Sequence, residues 1–403
     1  MTAETSRARW VSAATVVATL AAGGCALPIY RQSRAPIAVG QPDFDTTVQV
    51  RFLGVAGWMI RRGDDVVMTA PLYTQPKFGA LVGNRPLPID DAKVAACHRF
   101  SDRADAILVG HAHYDHLMDV PPVWLKSGRP RVIGSQTTAN ILAGYAGTAP
   151  YQELPSHVSV LTEPTASEPG LVDSRQCFKD DDPSHWRAAS CSSVTERAGE
   201  WFAGFGRGAV RVRGLCGRHP PQFLGLVHLW PGCVADPRTT APVKGTDYRE
   251  GPVLAYLIDF LDRPGGVPVF RVYYQDAPSD GAIGQVHEDL IRERDVDLAL
   301  LSAGNSDVVN DAASIITNTR AHHVLVGHWE KFFGIVNEQK KLEPIPLFDV
   351  KWFLRRLEQK LGPSGNERTV LLPAPGVQVH YRVGTPPVLL ETGPSEPLEW
   401  CRY

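Results

Sequence analysis

Ile107-Leu-Val-Gly-His-Ala-His-Tyr-Asp-His-Leu117 decides how this chain is read. His111, His113, Asp115 and His116 put three imidazoles and a carboxylate directly behind a short apolar run. Ile107, Leu108 and Val109 read as the end of a buried strand, and successive side chains on a strand alternate faces. If extended geometry persists, His111 and His113 point the same way, while Asp115 and His116 sit where the chain turns. Neutral imidazole nitrogens and a carboxylate suit zinc, or iron or manganese in a more oxygen-rich site. Two ligand pairs this close can seed a dinuclear centre. The plainer reading is a polar loop after a strand in a His-containing chain.

Three later positions follow strand-like runs. Gly208-Ala-Val-Arg-Val-Arg-Gly-Leu-Cys-Gly-Arg-His219 ends on a histidine, Val269-Phe-Arg-Val-Tyr-Tyr-Gln-Asp276 on an aspartate, and Val324-Leu-Val-Gly-His328 on another histidine. Taken singly, His219 reads as a surface histidine beside prolines, with His228 a competing choice. Asp276 reads as a turn residue or helix cap, and His328 as the finish of a strand. Together, in this order behind the His-x-His-x-Asp-His spacing, they resemble the metallo-β-lactamase superfamily from about residue 48 to 380.

That resemblance implies an α+β chain folded as a four-layer αββα sandwich. It implies two divalent metal ions, zinc first, with manganese or iron as alternatives. His111, His113 and His219 would hold one ion, Asp115, His116 and His328 the other, and Asp276 would bridge them. Two such cations lower the pKa of a bridging water far below its bulk value of about 15.7 and polarise a substrate oxygen. Asp115 would orient the resulting hydroxide. Tyr114 and Lys331 are candidate substrate contacts or proton donors, and each also has a plain structural or solvent-facing reading. Many relatives carry Asp-Pro after the second strand, where this chain has Thr69-Ala70-Pro71; the supporting role of that Asp is therefore in question.

The expected activity is hydrolysis of a phosphodiester, lactone or other ester. Phe52-Leu-Gly-Val-Ala-Gly-Trp-Met-Ile60 and the His328-Trp329 ending resemble the branch containing the N-acylphosphatidylethanolamine-hydrolysing phospholipase D and the ascorbate-phosphate lactonase. A small-molecule or lipid substrate follows from that likeness. The alternatives are an iron-dependent redox enzyme of the same fold and a noncatalytic, metal-binding envelope lipoprotein. The second is opposed by chemistry, because a degenerate apolar sandwich has no need of seven converging polar ligands.

The 403 residues are 43% hydrophobic and 21% charged, a globular composition. A formal charge of −2, with no run of Lys and Arg, argues against a nucleic-acid partner. Arg7 and Arg9 precede the apolar stretch Trp10 to Gly24, too short for a membrane span and followed by Cys25. This is an export-signal layout, and the small residues before Cys25 resemble a bacterial lipoprotein cleavage site. Residues 1–25 are thus expected to be a signal, with Cys25 lipidated and the protein membrane-anchored in the bacterial cell envelope; the alternative is a periplasmic or secreted protein. Cys97, Cys177, Cys191, Cys216, Cys233 and Cys401 remain, an even number that permits disulfides outside the cytoplasm.

Residues 26–46 read as a tether and 47–403 as one domain, with an insertion at about 164–205 around the acidic run Asp180-Asp-Asp-Pro183. Strands are expected at 48–53, 131–134, 253–260, 267–274, 296–301 and 323–327, with a hairpin turning at Gly63-Asp64. Helices are expected at 119–126, 137–143, 284–294, 312–319 and 351–361. His322 and His323 are assigned structural or surface roles, and His185 and His228 approach the cleft only if the insertion folds over it.

Overall fold

In Val48-Gln-Val-Arg-Phe-Leu53, alternation sends Val48, Val50 and Phe52 to one face of a strand, where all three are fully buried. The computed structural model, in which strands and helices are numbered here in chain order, makes this stretch β3 (Thr47–Gly54). It describes residues 30–33, 38–39, 43, 45–98, 103–161, 201–220, 229–278, 284–303, 308–333, 343–346, 348–362, 368–384 and 386–391. None of the described helices is long and apolar enough to cross a membrane.

The chain turns at Gly54–Gly57 into β4 (Gly57–Arg62) and at Gly63 into β5 (Asp65–Thr69). Parallel additions of β6 (Ala106–Leu108), β7 (Arg131–Gly134) and β8 (Val158–Val160) extend that sheet on one side. On the other side β3 pairs with β16 (Gln378–Arg382), which pairs with β17 (Val388–Glu391), and β2 (Ala38–Val39) closes that edge. The second sheet runs β1 (Tyr30–Ser33), β15 (Thr369–Leu372), β14 (His323–Gly327), β13 (Leu298–Ser302), β12 (Pro268–Gln275), β11 (Leu254–Leu261), β10 (Val210–Cys216) and β9 (Trp201–Phe202). Both sheets mix parallel and antiparallel pairs.

The inner faces meet in one apolar layer. Val50, Phe52, Trp58, Val67 and Leu108 from the first sheet pack with Val212, Ile258, Phe270, Leu300 and Leu325 from the second. Outside the first sheet lie α1 (Phe78–Val82), α2 (Asp91–Cys97), α3 (Tyr114–Leu117), α4 (Val120–Lys126) and α5 (Gln136–Ala143), which bury Leu81, Val94, Leu117, Trp124 and Ile141. Outside the second lie α6 (Glu288–Glu293), α7 (Val308–Thr319) and α8 (Val350–Leu361). The layers are therefore αββα. Helix α8 shows why its sequence forms it: Asp349 caps the N-terminus by accepting from Trp352 N–H at 2.9 Å, and Gly362 ends it at φ 59°. Val350, Phe353, Leu357 and Leu361 recur at helical spacing and are buried.

The expected tether is corrected in part. Tyr30–Ser33 pairs antiparallel with Thr369–Leu372, and Ala38–Val39 pairs parallel with Leu390 and Glu391. Edge pairing uses backbone N–H and C=O groups, so it leaves no hydrophobic period in the sequence. The expected insertion also ends earlier, since Trp201 and Phe202 pair with Arg213 and Val212; residues 162–200, including Cys177, His185, Cys191 and the acidic run, lie outside the described residues, as do 1–29 with Cys25. Helix α6 is shorter than the expected 284–294, because its cap is His287.

His323, at the start of β14, is buried and its ring nitrogen Nε2 donates to the Pro387 carbonyl at 3.1 Å, so it is structural. Burial lowers its pKa from 6.5 to about 4, with only partial opposition from that carbonyl. The folded state thus resists the proton that the unfolded chain accepts. Stability present above pH 6.5 is lost as pH falls toward 4, by about 3 kcal/mol for this one group. In urea unfolding at pH 7 and pH 4, His323→Gln is expected to lose less stability over that interval than the wild type.

Candidate metal centre

All the converging side chains leave the ends of strands at one end of the sandwich. Strand β6 continues through Val109, whose N–H donates to the Ile133 carbonyl at 2.9 Å, and the chain then breaks away at Gly110. His113 takes an extended backbone at φ −64°, ψ 158° and starts α3, so Asp115 and His116 fall on a single helical turn. The loop is stitched to the other sheet: Leu254 N–H donates to the Gly110 carbonyl at 2.8 Å, and the Tyr256 hydroxyl to the Val109 carbonyl at 2.7 Å. Ala112 N–H donates to the Glu250 carbonyl at 3.0 Å.

Asp276, which follows β12, reaches across to this loop. Its Oδ2 accepts from Gly110 N–H at 2.8 Å and His111 N–H at 3.2 Å, while Oδ1 accepts from His111 Nδ1 at 2.9 Å. The approach needs a glycine, because a Cβ on Gly110 would lie 2.3 Å from Asp276 Oδ1. Asp276 Oδ2 is also 3.7 Å from His116 Nδ1.

Two groups assemble on either side of that carboxylate. His111 Nε2 and His113 Nδ1 are 3.1 Å apart, and the His219 ring is 4.8 Å from His111 and 5.0 Å from His113. On the other side Asp115 Oδ2 is 3.4 Å from His116 Nε2 and 3.3 Å from His328 Nε2. The donor atoms of His111, His113 and His219, of His111, His116 and Asp276, and of Asp115, His116 and His328 each lie within 4.8 Å of one another. All seven expected ligands are therefore brought together. His111, His113, Asp115, His116, Asp276 and His328 are buried, and His219 is partly exposed.

The electrostatics fit a cation. Burial pushes Asp276 above its usual range, only partly opposed by His116 and the N–H groups of Gly110 and His111. Burial also works against the Asp115 anion, but the charge and hydrogen bond of His116, with help from His328, hold it well below the usual carboxylate range. Burial, followed by the neighbouring His111, pushes His219 well below the histidine range, so it stays neutral as a ligand must. His219 Nδ1 donates to the Pro220 carbonyl at 2.7 Å, which fixes the tautomer and turns Nε2 toward the cluster.

Tyr114 is buried against Trp230, with ring centres 5.4 Å apart, and burial raises its pKa well above 10. Lys331 pairs with Glu343 at 3.6 Å and stands outside the cluster. His228 and residues 221–227 lie outside the described residues.

Several supporting groups are not signalled by metal-ligand spacing. The Thr69 hydroxyl donates to the Ala56 carbonyl at 2.8 Å and accepts from Trp58 N–H at 2.9 Å, holding the β3–β4 turn. Asp119, three residues past His116, accepts from the N–H groups of Tyr73 and Thr74 at 2.6 Å each, and burial raises it to about 6. Trp230 faces His113 at 6.1 Å, and Phe332 faces His328 at 4.8 Å. Glu330, pushed up to about 8 by burial, lies beside the β3–β4 turn.

No protein-family model matches the chain, and no curated protein matches it either. Among solved structures it is similar to the metallo hydrolase Igni18 of Ignicoccus hospitalis, at 13% identity over 84% of this chain and 100% of that one, with a TM-score of 0.41. It is similar to the metallo-β-lactamase fold protein YhfI of Bacillus subtilis, at 14% identity over 83% and 99% of the chains and a TM-score of 0.37. A third is CmlA, a diiron β-hydroxylase of Streptomyces venezuelae, at 14% identity, 72% and 46% coverage and a TM-score of 0.34. At these scores the chemistry rests on the side chains themselves.

Gly110→Ala tests the crossing of Asp276 and the loop. With the fold retained by circular dichroism, it is expected to weaken metal affinity, measured by competition with a chromophoric chelator, by at least about 10-fold, the scale of disturbed ligand support.

Proposed function

We propose that the chain is a metal-dependent hydrolase that uses two divalent cations on a phosphodiester, lactone or other ester. The observation that carries the reading is the set of three overlapping donor groups, buried but for the partly exposed His219 and sharing His111 and His116. His111, His113 and His219 would hold one cation and Asp115, His116 and His328 the other, with Asp276 placed between the two groups. Their nitrogen and oxygen donors suit zinc first, and also manganese or iron. The chemistry such ions supply when bound is acidification of water and polarisation of a substrate oxygen.

The protein's own groups do the rest. Asp115, kept anionic, is the acceptor best placed to orient a water proton. Asp276 keeps the His111 ring in one orientation through Nδ1, as a carboxylate partner does for a ligating histidine. Tyr114, neutral at physiological pH, serves as a packed wall, and a substrate contact by Lys331 requires it to leave Glu343. Trp230 and Phe332 set apolar rings beside His113 and His328, which supports a substrate with an apolar portion, a lipid among them. The phospholipase D and lactonase likeness of the Phe52–Ile60 stretch points to the same ester classes.

The N-terminal pattern supports export with lipidation at Cys25 and attachment to the bacterial envelope. The even number of cysteines after Cys25 is in keeping with an oxidising compartment.

Elemental analysis of the purified protein, paired with turnover of a phosphodiester and a lactone before and after chelation, tests the reading. About two zinc or manganese ions per chain and chelator-sensitive turnover are expected. His111→Ala and Asp276→Ala, with folding retained, are expected to lose more than about 100-fold in turnover, since even outer partners of metal ligands cost 10- to 100-fold. Unchanged turnover in both variants defeats the site assignment. Two irons per chain turn the reading to redox chemistry, and no metal after reconstitution turns it to a noncatalytic protein.

A further inference from the structure

Glu330 is a buried carboxyl residue that the proposed chemistry leaves unused. It is 1% exposed, lies two residues past His328 and sits against the turn between β3 and β4 rather than in the ligand cluster. Val55 N–H donates to Glu330 Oε1 at 2.5 Å, and the Val55 carbonyl accepts from His328 N–H at 2.5 Å. Both backbone groups of Val55 are thus used by the same short segment, which carries a ligand histidine. The two strands of chain approach so closely that a Cβ on Gly327 would come 2.7 Å from the Val55 oxygen.

The backbone at both contacts is in a sparsely populated region. Val55 and His328 each have φ 55°. A left-handed conformation is unfavourable for any residue with a Cβ, and most of all for a β-branched one. Such a geometry costs about 1–3 kcal/mol per residue and persists only where surrounding contacts impose it. At this turn the contacts come from both sheets. Thr69 holds Ala56 and Trp58 from β5, while Glu330 and His328 hold Val55 from the end of β14.

We infer that Glu330 is a positioning residue for His328, fixing that ligand through the Val55 peptide so that one of the two cation sites is assembled before a cation arrives. The inference rests on the proposed metal assignment. Among the described residues His328 belongs to the group with Asp115 and His116 and to no other, so the effect of Glu330 is confined to one cation site. Among the described residues Glu330 is in none of the three donor groups, and its Oε1 is engaged by Val55. Reach matters here rather than charge: Gln keeps an oxygen at the same distance, and Asp withdraws it by one methylene.

Two measurements on the full chain test this. Metal-free wild type, Glu330→Ala, Glu330→Gln and Glu330→Asp are compared by amide hydrogen exchange over residues 327–330. They are then titrated with Zn²⁺ and Co²⁺ against a chromophoric chelator. In Glu330→Ala and Glu330→Asp, exchange at His328 is expected to rise, and one of the two binding events to weaken by about 10- to 100-fold while the other holds. Glu330→Gln is expected to restore both readouts. Equal weakening of both events, unchanged exchange in Glu330→Ala, or an Asp variant that behaves as wild type while Gln fails would overturn the inference. Failure of the wild type itself to bind metal overturns the hydrolase reading, and the inference with it; that outcome is told apart because it appears before any substitution is made. If Glu330→Ala does not fold, Asp against Gln decides the question.

Discussion

The Asp276 carboxylate holds the working end of the sandwich together. It leaves β12 of one sheet and takes its hydrogen bonds from Gly110 and His111 at the end of β6 in the other, then orients the His111 ring. Hydrogen bonds to an ionised carboxylate are about twice as strong as neutral ones, so three of them fix the loop firmly. Burying that charge is costly all the same, and its raised pKa marks a site short of positive charge. The two proposed cations, one on either side of Asp276, would offset that cost. The same carboxylate thus serves the fold and the proposed chemistry, which is why the contact tolerates only a glycine at position 110.

Close approach recurs at the other ligand strand. Gly327 lets β14 pass against Val55, and His328 then turns through a left-handed backbone to face Asp115 and His116. Elsewhere the ligands are placed by ordinary means, through strand ends for His219 and Asp276 and one helical turn for Asp115 and His116. Rigid elements carry the side chains, and the irregular backbone is confined to the few residues between strand and ligand. Such placement limits the rearrangement needed when a ligand binds.

The candidate ligand loop is legible because its chemistry is local: four donor side chains within six positions are costly to bury behind an apolar strand without a cation among them. The buried strands Leu298–Ser302 and His323–Gly327 were readable because a strand covered on both faces is continuously apolar. His219, Asp276 and His328 became readable only as a set, since each alone is an ordinary residue at the end of a strand. What stayed hidden depends on backbone geometry or on partners far away in sequence. Tyr30–Ser33 and Ala38–Val39 pair through main-chain groups that any residue supplies. Glu330 meets Val55 across 275 positions, and nothing near it announces a hydrogen bond to a turn. Thr69 likewise pins the β3–β4 turn from β5 through its hydroxyl, a contact that no local pattern announces.

Each proposed trio of ligands draws two members from the loop after β6 and the third from the opposite sheet. His111 and His113 need His219 from beyond β10, while Asp115 and His116 need His328 from beyond β14. Neither sheet alone can complete a site, and Asp276 from beyond β12 lies between the two. The proposed cation binding would therefore be linked to the packing of the sheets through the apolar layer of Phe52, Trp58, Ile258 and Leu325. A ligand that binds only the folded state stabilises that state by mass action, and a site rarely preformed in the unfolded chain makes binding energy available to folding. The apolar interior brings seven polar groups to one end of the sandwich at an electrostatic cost, and the proposed cations, by offsetting that cost, would reinforce the closure that assembled them.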